Sequence, residues 1–220
     1  GCSALEHVDD LYSLTRLEYD VFSHCVSLIS VDCSDKLTAI GSSAFFGCKA
    51  LVSIGDLSNV TSIESSVFRG CIALKSIGNM PKLESIGMQC FMGCTALETV
   101  GDLSSLKEIP SETFDGCTSL VSIGDLSNVT IIGSYGFNQC KKLTSIPNLS
   151  SLERVDQFAF SGCESLALLG NLRKLTSFGN SPFVNSPFHN CPNLVLEVLP
   201  DSAAEQYAKD YNMQYTYITE

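Results

Sequence analysis

Residues 45–68 read FFGCKALVSIGDLSNVTSIESSVF, and residues 114–137 read FDGCTSLVSIGDLSNVTIIGSYGF. Both stretches place a phenylalanine three positions before a cysteine and follow that cysteine with evenly spaced apolar residues. The same cysteine position recurs every 23 residues, and one further copy follows after 28 residues. These cysteines are Cys2, Cys25, Cys48, Cys71, Cys94, Cys117, Cys140 and Cys163, followed by Cys191. The chain is therefore a tandem array of one short unit.

The apolar positions of this unit form columns that run through the whole chain. They fall 3, 6, 9, 12 and 15 residues after each cysteine. A period of about 20–50 residues is typical of solenoids, in which a unit buries its apolar face only against its neighbours. Units of 23 residues are too short for helix pairs and suit a leucine-rich coil with one short strand. We therefore predict an α/β leucine-rich repeat solenoid, right-handed, with one parallel sheet along its concave face and short helical turns or loops elsewhere.

The repeat pattern divides the chain into two parts. Residues 1–194 are expected to form the solenoid, with about eight to nine coils of which the first is truncated. Residues 195–220 are expected to form a cap of one helix and one strand. Asp201 or Ser202 can begin the helix, Tyr207 and Tyr211 lie on the face that would cover the last coil, and residues 214–218 alternate like an edge strand. Because the chain begins inside a repeat, we interpret it as a fragment whose native start lies outside it.

Composition and charge exclude several classes of partner. Apolar residues make up 45% of the chain and the mean hydropathy is +0.19, which favours a folded protein over a disordered one. Lys and Arg number 13 against 24 Asp and Glu, giving a net charge of −11. No cluster of basic residues offsets this balance, so nucleic acid and anionic lipid are not expected as partners. The apolar runs are too short for membrane insertion.

The cysteine column predicts buried free thiols. Zinc sites need several ligands that converge within a few residues, and the chain has no CxxC or HxxxH motif. A buried free cysteine behaves as a small apolar residue, and one thiol per coil does not converge on a metal. Cys33 stands outside the column and is the thiol we would examine for reactivity. We expect no metal and no cofactor.

Catalytic motifs are missing from the sequence. His7, His24 and His189 lie on different repeats and at different positions, and no nucleotide-binding fingerprint occurs. A column of Asp and Asn eight residues after each cysteine is the strongest alternative, because stacked carboxylates could hold calcium or act on a polysaccharide. The same side chains can instead accept hydrogen bonds within their own turns, and we favour this structural role. The column includes Asp56, Asn79, Asp102, Asp125 and Asn148.

The full pattern, FxGCxxLxxIGxLxxLxxIxxxxF, resembles the BspA-like leucine-rich repeats of bacterial and protist surface proteins. The resemblance covers residues 1 to about 194 of the 220 in the chain. It implies a non-enzymatic binding module of a cell-surface or secreted protein, located outside the cell. In such proteins the repeats engage host, extracellular-matrix or cell-surface proteins.

Candidate binding residues come from the columns that vary between repeats. The position four residues after each cysteine is varied, and its central members are Val52, Lys75, Glu98, Val121 and Thr144. Because they share one offset on consecutive coils, we predict that they form one patch on the strand face. Phe183, in the five extra residues before Cys191, is a second candidate for contact with a partner.

Three functions fit the sequence. We favour a monomeric module that binds another protein through its strand face. A structural spacer or display stalk without a ligand is the alternative, although it predicts no varied face. A polysaccharide-active β-solenoid enzyme ranks third, because it predicts a cluster of carboxylates or basic residues that the columns do not provide.

Overall fold

A computed structural model describes residues 1–9, 11–179 and 186–219. Within these residues each coil contributes a short strand soon after its column cysteine, of two residues in every coil but the last, and these strands form a first row. The first row consists of β1 (His7–Val8), β3 (Ser30–Val31), β5 (Ser53–Ile54), β7 (Ser76–Ile77), β9 (Thr99–Val100), β11 (Ser122–Ile123), β13 (Ser145–Ile146), β15 (Leu168–Leu169) and β17 (Val195–Val198). Most neighbours pair in parallel with a register of one repeat, as in His7 opposite Ser30, and the row is divided into three sheets between β5 and β7 and between β11 and β13. The predicted solenoid of parallel strands is confirmed.

Each coil also contributes a second strand, and these strands form a second row, which the repeat pattern did not indicate. The second row consists of β2 (Arg16–Leu17), β4 (Ala39–Ile40), β6 (Ser62–Ile63), β8 (Ser85–Ile86), β10 (Glu108–Ile109), β12 (Ile131–Ile132), β14 (Arg154–Val155) and β16 (Ser177–Phe178). In both rows an outward residue precedes an inward apolar one, as Ser62 precedes the buried Ile63. The solenoid therefore has two strand-bearing sides with the core between them.

The centre of the core is a stack of phenylalanine rings, one from each coil. Consecutive rings lie 5.2–5.9 Å apart between centroids and are close to parallel. The stack consists of Phe22, Phe45, Phe68, Phe91, Phe114, Phe137, Phe160 and Phe188. Six of these side chains, from Phe45 to Phe160, are fully buried. Each ring can bury its two faces only if a neighbouring coil is present on each side.

The cysteine column lies beside the phenylalanine stack. Cys25 and the following members through Cys163 are buried and unpaired, as predicted. From Cys48 onward, each thiol donates a hydrogen bond to the phenylalanine carbonyl of the preceding coil, as Cys94 Sγ does to Phe68 O at 3.0 Å. Burial raises the pKa of Cys48 to about 12 and the pKa of Cys94 well above its usual range. These thiols stay protonated and support the stacking of the coils.

This burial predicts the reactivity of the thiols. At about pH 8, a thiol reagent should modify the exposed Cys2 readily and the eight buried cysteines slowly, because only the accessible thiolate reacts. In the denatured protein, nearly all eleven thiols should react with the reagent. The measurement is titration with a chromogenic disulfide in the presence and absence of denaturant. Rapid modification of Cys94 in the native protein, or sulfurs bonded in pairs, would contradict this description of the core.

The C-terminal segment covers the last coil with one helix and one strand. Helix α1 (Ala203–Asp210) begins at the N-cap Ser202, whose hydroxyl accepts a hydrogen bond from Glu205 N. On the inner side of α1, Tyr207 stacks on Phe178 with 3.8 Å between centroids. Strand β18 (Gln214–Tyr217) pairs in parallel with β17, so β17 continues the first row and β18 ends it.

Glu205 joins the parts of this cap. Its carboxylate lies 2.7 Å from Lys209 Nζ, and it accepts hydrogen bonds from Tyr217 Oη at 2.6 Å and from Asp201 N at 2.7 Å. The side chain is almost completely buried. Chiefly because of Lys209 and Tyr217, the pKa of Glu205 falls from 4.5 to about 2. One carboxylate therefore connects the start of α1, its last turn and β18.

The depressed pKa of Glu205 predicts how the cap responds to acid. A carboxyl group whose pKa is lower in the folded state stabilises the fold above its unfolded pKa, and this contribution is lost as pH falls through the folded value. We expect α1 to lose protection between about pH 4.5 and about pH 2. Hydrogen exchange of α1 measured across this range tests the expectation. Glu205→Gln should weaken the cap at neutral pH and flatten its acid dependence; parallel pH curves for the two proteins would contradict it.

Candidate functional site

The five candidate residues of the varied column lie together on the first row. Val52, Lys75, Glu98, Val121 and Thr144 are all exposed and immediately precede the first-row strands β5 to β13. Their backbones form a continuous ladder, in which each amide donates to the carbonyl of the preceding member at 2.8–3.4 Å. Successive side chains are therefore about one strand spacing apart, close to 4.8 Å. The patch extends over five coils without a break.

The surroundings of this patch are small and flat. The next residue of each strand is Ser53, Ser76, Thr99, Ser122 or Ser145, and the first four of these are exposed. No ion pair in residues 1–9, 11–179 and 186–219 involves Lys75 or Glu98. The two charges and the exposed valines are thus accessible on an open surface, and no wall of the fold encloses them.

The Asp and Asn column lies at the end of the first-row strands, and its oxygens are engaged in turns. Asp56 accepts from the amide and from the hydroxyl of Ser58, both at 2.8 Å. Asp102 and Asp125 make the same pair of bonds to the serine two residues on. Asn148 accepts from Ser150 N at 3.3 Å. Within the described residues no group of three His, Cys, Asp or Glu side chains is placed to hold a metal ion.

Asn79 departs from its column. Its Oδ1 accepts from Asp102 N at 3.0 Å, in the next coil, and not from its own turn. Pro81 occupies the position that serine holds after Asp56, Asp102 and Asp125. Proline has no amide hydrogen to donate, so the asparagine side chain bonds between coils instead.

The second row presents a different surface. Several of its threonines donate to the carbonyl of the same position one coil earlier, as Thr61 Oγ1 does to Thr38 O at 3.2 Å. Arg154 Nε lies 3.0 Å from Asp156 Oδ1, and Arg16 pairs with Glu64. The signal for this surface was available in pairs such as Ser62-Ile63 and Glu108-Ile109, but two-residue strands carry too little alternation to be recognised.

Two other candidate residues have different outcomes. Cys33 is half-buried, and burial raises its pKa to about 11, so the structure does not favour the reactive thiol considered from the sequence. Phe183 lies outside the described residues.

Within the described part of the chain, no helix is long and apolar enough to cross a membrane.

Comparisons with known proteins agree with this architecture. The family model described as "BspA type Leucine rich repeat region" matches residues 1–98 and 84–195, in six copies. A leucine-rich repeat protein from T. pallidum has a similar structure, with TM-score 0.61 and 24% identity over 98% of this chain and 87% of its own. A leucine-rich repeat protein from Eubacterium ventriosum gives a TM-score of 0.66 and 20% identity, over 84% of this chain and 57% of its own. A comparison with curated proteins found no match.

Proposed function

Because the chain belongs to the BspA-type leucine-rich repeat family, we propose that it is a non-enzymatic module that binds another protein through the first-row strand face. The observation that carries the proposal is the exposed column from Val52 to Thr144. The side chains of this column take no part in the core, whereas those of the phenylalanine, leucine and cysteine columns are buried in it. Only the varied columns are free to determine what the solenoid recognises.

The shape of this face favours a large partner. A small molecule needs a concave pocket that covers most of its surface, and the Ser and Thr floor beside the column provides none. The four strand spacings between the five coils extend about 20 Å, a length that suits one side of a protein interface. Val52 and Val121 offer apolar contact areas, and Lys75 and Glu98 between them offer one charge of each sign. A few such residues can supply most of the affinity of an interface.

The proposed partner is a host, extracellular-matrix or cell-surface protein. This choice, with an extracellular or cell-surface location, rests on the resemblance of the repeats to those of surface proteins. The acidic chain, with a net charge of −11, disfavours nucleic acid. We propose that the module acts as a monomer, since the first row ends in its own cap.

The two other functions are less well supported. A spacer needs no variation along an exposed column, but the column changes from Val52 to Lys75 to Glu98 on consecutive coils. A polysaccharide-active enzyme needs carboxylates that are free to act on a substrate. The oxygens of Asp56, Asp102 and Asp125 are instead engaged by their neighbouring serines.

A fourfold variant tests the proposal. Val52→Ser, Lys75→Gln, Glu98→Gln and Val121→Ser should together abolish attachment to a panel of immobilised extracellular-matrix proteins or to cultured host cells. The melting temperature should stay within a few degrees of the parent, since the changed residues are exposed.

The control variant changes matched residues at the second row. Glu84→Gln and Lys107→Gln remove one charge of each sign, and Met88→Ser removes an apolar side chain that is 56% exposed. Attachment should be unaffected in this variant. Full attachment by the fourfold variant would place the binding site elsewhere, and no attachment by the parent protein would favour the spacer.

A further inference from the structure

A groove of about 450 Å³ crosses the turns that connect the phenylalanine stack to the first row. Its lining residues come from three repeat positions, the two before the column cysteine and the one after it, and each of four coils contributes two or three of them. The groove runs over four consecutive coils, from the turn at residues 22–26 to the turn at residues 91–95. It is separate from the patch at Val52, Lys75 and Glu98.

The floor of the groove consists of Gly47, Gly70 and Gly93, all with positive φ of 69–74°. The same turn is adopted at this repeat position by His24 and Gln139, with φ of 57° and 58°. The left-handed backbone therefore does not by itself require glycine in this chain. A Cβ atom at Gly93 would have no neighbour within 4 Å. Gly70 and Gly93 leave open space along the turns, whereas the His24 ring lies over Gly47, where a Cβ atom would be 2.9 Å from His24 Nδ1.

The walls of the groove expose apolar side chains. Val26 is 39% exposed and Ile72 is 47% exposed, and each directly follows a column cysteine. Phe46 and Met92, both half-buried, directly precede the floor glycines Gly47 and Gly93. Most large apolar residues of the chain are buried in the core, whereas these four line a groove at the surface.

The ionisable side chains of the groove, apart from its cysteines, are all basic. The four turn segments, residues 22–26, 45–49, 68–72 and 91–95, contain His24, Lys49 and Arg69 and no Asp or Glu. The chain as a whole carries 24 acidic and 13 basic residues. Arg69 is held in place, because its guanidinium lies 5.8 Å over the Phe46 ring and donates to Gln89 Oε1 at 2.8 Å. The next coil ends this basic stretch with Asp115.

We propose that this groove binds an extended segment of a partner protein that carries large apolar side chains next to carboxylates. The apolar side chains would contact Val26, Ile72 and Met92 over the glycine floor. The carboxylates would pair with Lys49 and Arg69, neither of which forms an ion pair with an Asp or Glu among the described residues. The inference is independent of the strand-face proposal, since the two surfaces share no residue.

The probe is a fluorescein-labelled synthetic peptide in which Leu and Phe are flanked by Asp, Glu and Ser. Its binding to the whole chain is measured by fluorescence anisotropy. Ile72→Ser should weaken binding about tenfold, because it removes exposed apolar area that the peptide would cover. Lys49→Gln should weaken it about threefold, as expected for one exposed charge pair. Binding should also weaken as salt rises.

Matched controls separate the groove from the rest of the surface. Lys141→Gln makes the same change at the same repeat position, but Lys141 already pairs with Glu164 at 3.0 Å, so binding should not change. Met88→Ser, which changes an apolar side chain outside the groove that is 56% exposed, should also have no effect. The strand-face fourfold variant should bind the peptide like the parent protein, which distinguishes failure of this proposal from failure of the other.

Four results would overturn the proposal. The first is no binding of the acidic peptide, and the second is equal binding of a peptide with Lys and Arg in place of Asp and Glu. The third is concentration-dependent dimerisation of the parent that Ile72→Ser abolishes, which would make a second copy the occupant. The fourth is binding to phosphatidylserine vesicles without binding to the peptide, which would assign the groove to a membrane surface.

Discussion

Phe91→Ala is expected to lower the free energy of unfolding by about 3–5 kcal/mol. Phe91 is fully buried and stacks on Phe68 and Phe114, with centroids 5.2 and 5.3 Å away. Alanine would leave a cavity between two coils and remove both ring contacts. Since each coil of a solenoid is stabilised by its neighbours, the cavity weakens two interfaces at once. Urea denaturation followed by circular dichroism measures the change.

Phe22→Ala is the matched control for this substitution. Phe22 holds the same repeat position but is only half-buried, and Phe45 is its one stacked neighbour in the described residues, at 5.4 Å. Its replacement should cost well under half as much. Equal losses at the two positions would show that the ring stack does not hold the coils together.

Gly124→Ala should destabilise the solenoid by about 2–3 kcal/mol, the cost typical of overpacking. A Cβ atom at Gly124 would lie 2.1 Å from Gly101 O in the preceding coil. The obstructing atom belongs to the backbone of the neighbouring coil, so relief requires the two coils to move apart.

Gly78→Ala provides the comparison, because Gly78 stands at the same repeat position and a Cβ atom there meets nothing within 4 Å. It should change the stability by less than about 0.5 kcal/mol, as most surface substitutions do. Thermal melts of both variants test the pair. A Gly78→Ala variant as unstable as Gly124→Ala would contradict the described approach of the coils.

Much of the fold was predictable because one pattern repeats eight times. Cys94 belongs to a column of cysteines that recurs every 23 residues, and this recurrence predicted that Cys94 lies in the core. A side chain required in every coil serves the packing of one coil on the next. The hydrogen bond from Cys94 to Phe68 O was not predictable, because it depends on which carbonyl of the preceding coil faces the sulfur. Periodicity therefore identifies which side chains are buried, but not which atoms of the neighbouring coil they contact.

Other features depend on how neighbouring turns approach each other. The second row of strands was missed because a pair such as Ser62–Ile63 carries one inward residue, which a turn can also supply. Either Asp201 or Ser202 could have capped α1, and the structure assigns the cap to Ser202. The glycine column at Gly70 was visible in the sequence. Its role as the floor of a groove became apparent only from the positions of the apolar side chains around it in the structure.

The patch at Lys75 and Glu98 followed directly from the shared offset of its members. Residues at one offset on consecutive coils must stack, so the column could be drawn before any coordinates. Its exposure also followed, because the neighbouring inward positions were already assigned to the core. The repeat pattern does not identify the partner. A varied, exposed column shows only that packing does not constrain the residues in it.

The most direct test of the strand-face proposal is photo-crosslinking from the patch itself. Glu98→p-benzoylphenylalanine places the crosslinker on the first row, and Lys107→p-benzoylphenylalanine places it on the second row; both parent residues are exposed. After attachment to the extracellular-matrix panel and irradiation, position 98 should form a covalent adduct with the bound protein and position 107 should not. An adduct from position 107 alone would contradict the assignment of binding to the first-row strand face.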